Sequence, residues 1–233
     1  MRQEAYFCTV KELDELGKNN IPRQLISHTH LIYSSPATLA FNSPGAEGFG
    51  VKRAGLAVPD SVMLIVSPGC CGRNTSVLSS MRAYQDRFYY LLMDETDIVT
   101  GRHLKKIPKA VAEICEGLKK KPSVVMICIT CVDALLGTDM ERVCHKAEEY
   151  AGVPVRPCYM YALTREGRKP PMVHVRQSLY SLLEPGKKKG NVVNLLGFFS
   201  PLVDDCEIYD LLHSAGVKTI HEISRCKDYM EYQ

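Results

Sequence analysis

The sequence predicts an α/β fold in which parallel β-sheets are flanked by helices. Three observations carry that expectation. Two short continuous apolar runs, residues 62–66 and 124–129, have the length and β-branched content of strands buried on both faces. Between them lies a stretch with a helical apolar period, Leu104, Ile107, Val111, Ile114 and Leu118. Strand and helix signals then alternate from residue 61 onward, the pattern of a parallel sheet with crossover helices.

The elements follow in order. Residues 1–60 form an irregular N-terminal segment, with a short helix over 10–18 and turn-rich stretches at 34–36 and 42–50. The glycine-rich part is expected to wrap over the sheet or over a partner subunit. Within the segment His28 and His30 form an H-x-H that could ligate metal, although a polar strand is the commoner source of that pattern. Residues 61–185 make a first α/β domain carrying the candidate loops. Its expected elements are strand 61–66, helix 76–93, a short strand 97–99 and helix 104–119. Lys119, Lys120 and Lys121 suit the negative end of that helix, and Pro122 stops it. Strand 123–130, a loop over 130–133, helix 139–150 ended by Gly152, strand 153–157 and helix 174–183 complete it. Residues 184–190 read as a linker. Residues 191–233 begin a second Rossmann-like unit, with strand 191–197, helix 204–214 and strand 217–223. One β-α-β unit is too small to close a core, so it either packs onto the first domain or, as the favoured reading, is the truncated start of a longer unit.

Composition narrows the class. The 233 residues are 45% hydrophobic and 24% charged, ordinary for a globular protein. A net charge of +3, with lysines spread along helix faces, is a solvated surface, so nucleic acid is not an expected partner. No run reaches the length of a membrane span, and the first residues lack a secretory apolar core, so a cytoplasmic protein is expected. In that compartment disulfides are rare, and the ten cysteines are core residues, reactive thiols or metal ligands.

The candidate chemistry lies in residues 67–76. Cys70 and Cys71 stand between Gly69 and Gly72, which permit a sharp turn and close approach to a bulky group. Asn74, Thr75 and Ser76 are good caps for a following helix, whose positive end would favour thiolate. Cys131 follows the second core strand at the same sheet edge. If the two strands are neighbours, Cys71 and Cys131 converge, with Cys70 a further candidate. Cys128 and Cys131 are formally a C-x-x-C, but Cys128 lies inside the apolar run and reads as core. Cys8, Cys115, Cys144, Cys158, Cys206 and Cys226 read as structural. Two thiols per chain do not fill a cluster that takes four, whereas a pair of chains supplies four. A cluster at a dimer interface is therefore expected. No phosphate-binding or dinucleotide glycine motif is present, and no catalytic residues stand out.

Four ordered segments carry a resemblance. They are Ser67-Pro68-Gly69-Cys70-Cys71-Gly72, then residues 94–101, residues 129–139, and Ala151-Gly152-Val153-Pro154-Val155. Together they resemble the N-terminal part of nitrogenase component 1 type oxidoreductases. The resemblance implies that Cys71 and Cys131 ligate an iron–sulfur cluster at a subunit interface. A third family cysteine, before the first loop, has no counterpart in Ser43-Pro44-Gly45-Ala46. A [4Fe–4S] cluster shared across a dimer interface, with Cys70 as a substitute ligand, therefore fits better than a larger cluster. The implied partners are a second copy or a related subunit, forming a homodimer or heterodimer, and an ATP-dependent iron–sulfur reductase of the Fe protein type. The implied function is an oxidoreductase subunit, working anaerobically, that accepts electrons at that cluster. A non-catalytic scaffold for metallocluster assembly and a thiol redox protein stand as alternatives.

Overall fold

The structure is a computed structural model that describes residues 8–17, 19–20, 22, 55–69, 84–159, 171–184, 186, 190–196 and 201–232. Cys70, Cys71, His28, His30 and the first part of the expected helix 76–93 lie outside the described residues, and at Cys131 only the backbone is described.

Helix α1 (Val10–Leu16) opens on a capping box in which the Thr9 hydroxyl accepts from the Glu12 amide and the Glu12 carboxylate accepts from the Thr9 amide. The first sheet contains β1 (Val62–Ser67), β2 (Phe88–Leu92), β3 (Val125–Ile129) and β4 (Val155–Tyr159), in the spatial order β2-β1-β3-β4 and all parallel. Strand β1 is buried along its whole length and β3 likewise, because both pleat faces are covered. Met63, Ile65, Met126 and Cys128 face a core closed by Leu56, Val58, Val175, Leu179, Ile223 and Tyr232. Leu64, Val66, Ile127 and Ile129 face the opposite core, closed by Ile107, Val111, Met140, Cys144 and Ala147. This two-sided burial is why both strands read as continuous apolar runs rather than alternating ones.

Arg87 joins the start of the sheet together. Its guanidinium donates to the carbonyls of Leu56, Val58 and Ser61 and to the Ser61 hydroxyl, at 2.7–3.1 Å. The corner before β1 is thereby tied to the residue before β2.

Between β2 and β3 lie α2 (Glu95–Thr100) and α3 (His103–Gly117), which meet at Gly101 in the left-handed region (φ 64°). After β3 come α4 (Cys131–Leu136) and α5 (Met140–Ala151), the latter ended by Gly152 at φ 62° as expected. Helix α6 (Pro171–Tyr180) packs on β4. A second, two-stranded parallel sheet pairs β5 (Val192–Asn194) with β6 (Thr219–His221), joined through α7 (Glu207–Ser214). Its centre is Glu222, buried, which accepts from the Leu202 amide at 2.8 Å and from the Tyr209 hydroxyl and pairs with Arg225 at 3.2 Å.

Three expectations are corrected. Residues 97–99 are helical within α2, because Asp94 caps the Asp97 amide and the Asp97 carboxylate returns to the Asp94 amide. The helix expected to run to residue 93 does not reach it: Asp86 takes a positive φ of 60°, and the aromatic run Phe88–Leu92 then pairs with β1 as an edge strand. The loop expected over 130–133 is instead the first turn of α4, which begins at Cys131, one residue beyond Thr130.

Ile127 is fully buried at the centre of β3. Replacing it with Ala should cost about 2–5 kcal/mol, lost contacts plus cavity. The shift in the urea unfolding midpoint measures that cost, and a change below about 1 kcal/mol would contradict the two-sided burial.

Candidate functional site at the carboxyl edge of the sheet

The strand order creates a switch point. From β1 the chain moves to one side to form β2, then returns past β1 to form β3 on the other. In open parallel sheets a crevice forms at the carboxyl ends of the two strands where the direction reverses. Here those strands are β1 and β3, paired in register from Val62↔Val125 to Val66↔Ile129. The segment carrying Cys70 and Cys71 leaves β1 three residues after Ser67, and Cys131 follows β3 by two. The neighbouring strands on which the expected convergence depended are thus observed.

Two buried hydroxyl residues close the carboxyl edge of β1 and β3. Ser67 and Thr130 are the next residues in register, and alternation puts both on the pleat face of Met63 and Met126. Both are buried, at 0% and 1% exposure, and neither hydroxyl has a hydrogen-bond partner among the described residues. The same is true of Asp133 Oδ2. A buried polar atom left unsatisfied costs about 1–3 kcal/mol. The hydroxyls of Ser67 and Thr130, neighbours in register at one sheet edge, fit a place that receives a polar or sulfur-bearing group. Serine and threonine hydroxyls can donate to thiolate or sulfide sulfur, the kind of outer hydrogen bond that tunes a metal–sulfur group. The donor set present therefore fits such a group.

A second network centres on the buried Asp97 carboxylate. The Asp97 carboxylate receives Lys106 Nζ and Arg102 Nε at 2.7 Å each, with its side chain 2% exposed. These two cations, Lys106 foremost, hold the Asp97 carboxyl down at about 2. The Asp97 carbonyl lies 3.0 Å from His103 Nδ1, and His103 Nε2 lies 3.1 Å from Asp133 Oδ1. Thr138 donates its hydroxyl to the same Asp133 oxygen at 3.2 Å.

Cys128 and Cys158 lie in one core, Cys115 and Cys144 in the other. Burial pushes the Cys144 thiol up to about 12 and raises that of Cys115, so both favour the neutral thiol over the ligating thiolate. Burial, with the carboxylates of Glu231, Asp228 and Glu222 adding to it, also raises Cys226. Among the described residues no group of three or more His, Cys, Asp or Glu could hold a metal, and no helix is long and apolar enough to cross a membrane. Ser67, Asp97, Thr130 and Asp133 fall within the segments the sequence points to, 67–76, 94–101 and 129–139, but no individual role is legible for them there, and His103 lies outside those segments. The signal available was weak: single polar residues next to apolar runs.

A family model of nitrogenase component 1 type oxidoreductases matches residues 47–230. The chain belongs to this family. Similar relatives include the nitrogenase iron-molybdenum cofactor biosynthesis protein NifE of Rhizobium meliloti (strain 1021), 28% identical over 176 residues, covering 72% of this chain and 37% of that protein. NifE of Klebsiella pneumoniae is 26% identical over 211 residues, covering 82% of this chain and 46% of that protein. Among solved structures, nitrogenase Cp1 at pH 6.5 superposes with a TM-score of 0.59 at 20% identity, covering 88% of this chain and 41% of that one. The chain thus spans less than half the length of these relatives, and the structural likeness establishes the nitrogenase component 1-like fold, parallel sheets flanked by helices.

The Asp97 network carries a pH signature. A carboxyl held at about 2 against an ordinary 3.8 contributes stability that is present above about pH 4 and is lost as pH falls toward 2. Wild type should therefore lose stability more steeply than Asp97→Asn between pH 5 and pH 2. Urea midpoints at several pH values check this, and parallel curves would contradict it.

Proposed function

We propose that this chain is a subunit of the nitrogenase component 1 type that holds a metal–sulfur cluster at the switch point, as a scaffold on which the cluster is assembled or kept before transfer. The observation that carries the reading is the neighbouring of β1 and β3, which sends the segments bearing Cys71 and Cys131 from one edge. The unsatisfied hydroxyls of Ser67 and Thr130 on that edge support it. The cofactor-biosynthesis names of the NifE relatives favour the scaffold over the electron-accepting enzyme, which reverses the order the sequence suggested.

In this reading the cluster is cargo. Cys71 and Cys131 hold it as thiolates, and Cys70 is available as a further ligand. Ser67 and Thr130 donate hydrogen bonds toward sulfur, and the buried flanks of the sheet exclude water. A [4Fe–4S] cluster shared with a second copy or a related subunit fits the ligand count. The family's description as oxidoreductases favours a second reading, in which the bound cluster would supply a one-electron store reduced by an ATP-dependent iron–sulfur protein.

The two readings separate in one experiment. Cluster-loaded protein is mixed anaerobically with a cluster-free iron–sulfur acceptor, with and without an ATP-hydrolysing reductase. A scaffold should pass iron and sulfide to the acceptor without ATP. Retention of the cluster, with its reduction only when the reductase and ATP are present, would overturn the scaffold in favour of the electron-accepting subunit.

A further inference from the structure

We infer that His103 is a positioning residue that sets the place of Cys131 by clamping the first turn of α4. This rests on the proposed cluster site for its purpose, and on geometry for its existence. His103 is the first residue of α3 and is 1% exposed. A carbonyl can only accept, so Nδ1 carries a hydrogen and donates to the Asp97 carbonyl at 3.0 Å. Nε2 then faces Asp133 Oδ1 at 3.1 Å, within hydrogen-bond distance. Asp133 is the third residue of α4 and Cys131 the first. One imidazole therefore ties the α2–α3 corner to the turn that carries the candidate ligand.

Both ends of the tie are themselves fixed. The Asp97 carboxylate is held by Lys106 and Arg102, and the Asp97 amide donates to the Asp94 carboxylate. Asp133 receives the Thr138 hydroxyl on Oδ1, and its carbonyl receives the Thr138 amide at 3.1 Å. Helix α4 is only six residues long, too short to hold its own position by backbone bonds. Its last residues, Leu135 and Leu136, are exposed, at 74% and 51%, so little apolar burial anchors its far end. Among the described residues, the buried His103–Asp133 contact fixes this turn to the α2–α3 corner.

The two ring nitrogens can be tested separately. In His103→Asn the amide nitrogen can replace Nδ1 but cannot reach Asp133. In His103→Gln the amide nitrogen can replace Nε2 and keep the bond to Asp133. Three readouts are taken: amide exchange over residues 135–138 and the alkylation rate of Cys131, both in cluster-free protein, and the EPR spectrum of the reconstituted, dithionite-reduced protein. The expected result is exchange and a Cys131 alkylation rate that each change about tenfold in His103→Asn, with protection in β1 and β3 unchanged. The EPR line shape should change with them, and His103→Gln should restore all three toward wild type.

Unchanged exchange and alkylation in His103→Asn would overturn the clamp, whatever the iron content. Loosened amides with wild-type alkylation and a wild-type EPR spectrum would reduce His103 to a structural bond and overturn its positioning role. If wild type takes up no iron, the proposed function fails, while the exchange and alkylation results still decide the clamp. Thr138→Val, a change at a half-buried residue, removes one bond to the same Asp133 oxygen. It should give a smaller change in the same direction, and it decides the case should neither His103 variant fold.

Discussion

The parallel pairing of β1 with β3 is the constraint on which the rest of the molecule depends. Each strand is buried on both faces, so neither can slip or turn over without sending apolar side chains into water. Five register pairs lock them, from Val62↔Val125 to Val66↔Ile129. Once that pairing is set, β2 and β4 can only add at the outer edges, and α3 and α5 must cover one face. The switch point then falls between β1 and β3 by topology alone, and the two cysteine-bearing segments leave from it.

A second consequence is electrostatic. The middle of the sheet is apolar on both sides, and polar groups gather at its carboxyl end. Ser67, Thr130, Asp97, His103 and Asp133 are all buried there. Burying them is costly unless they are paired or meet a guest. Asp97, His103 and one oxygen of Asp133 are paired internally. The remaining hydroxyls and the second Asp133 oxygen are the part of the edge left for something else.

Much of this was legible in the sequence. The two core strands, α3, α5 with its Gly152 stop, and the β-α-β unit near the end were expected from apolar runs, helical periodicity and stop signals. Other parts were not. Phe88–Leu92 was read as helix because apolar spacing there fits both periods, and only the positive φ at Asp86 and the vacant edge of β1 decide for a strand. Ile98 and Val99 have strand-forming side chains, yet the reciprocal Asp94–Asp97 cap makes residues 97–99 helical. The His103–Asp133 contact joins residues thirty positions apart. No local pattern announces such a pair, because it exists only after α3 and α4 have been brought to the same end of the sheet.

Membership of the nitrogenase component 1 type family and the geometry of the switch point lead to one central claim: this edge of the sheet holds a metal–sulfur cluster. The most direct measurement is anaerobic iron and sulfide content per chain after reconstitution, for wild type, Cys71→Ala and Cys131→Ala. A cluster shared between two chains should give about two irons and two sulfides per wild-type chain. Each single substitution should abolish that content while leaving the chain folded. Absence of iron in wild type under every reconstitution condition, or full iron content in both variants, would contradict a cluster held by these residues.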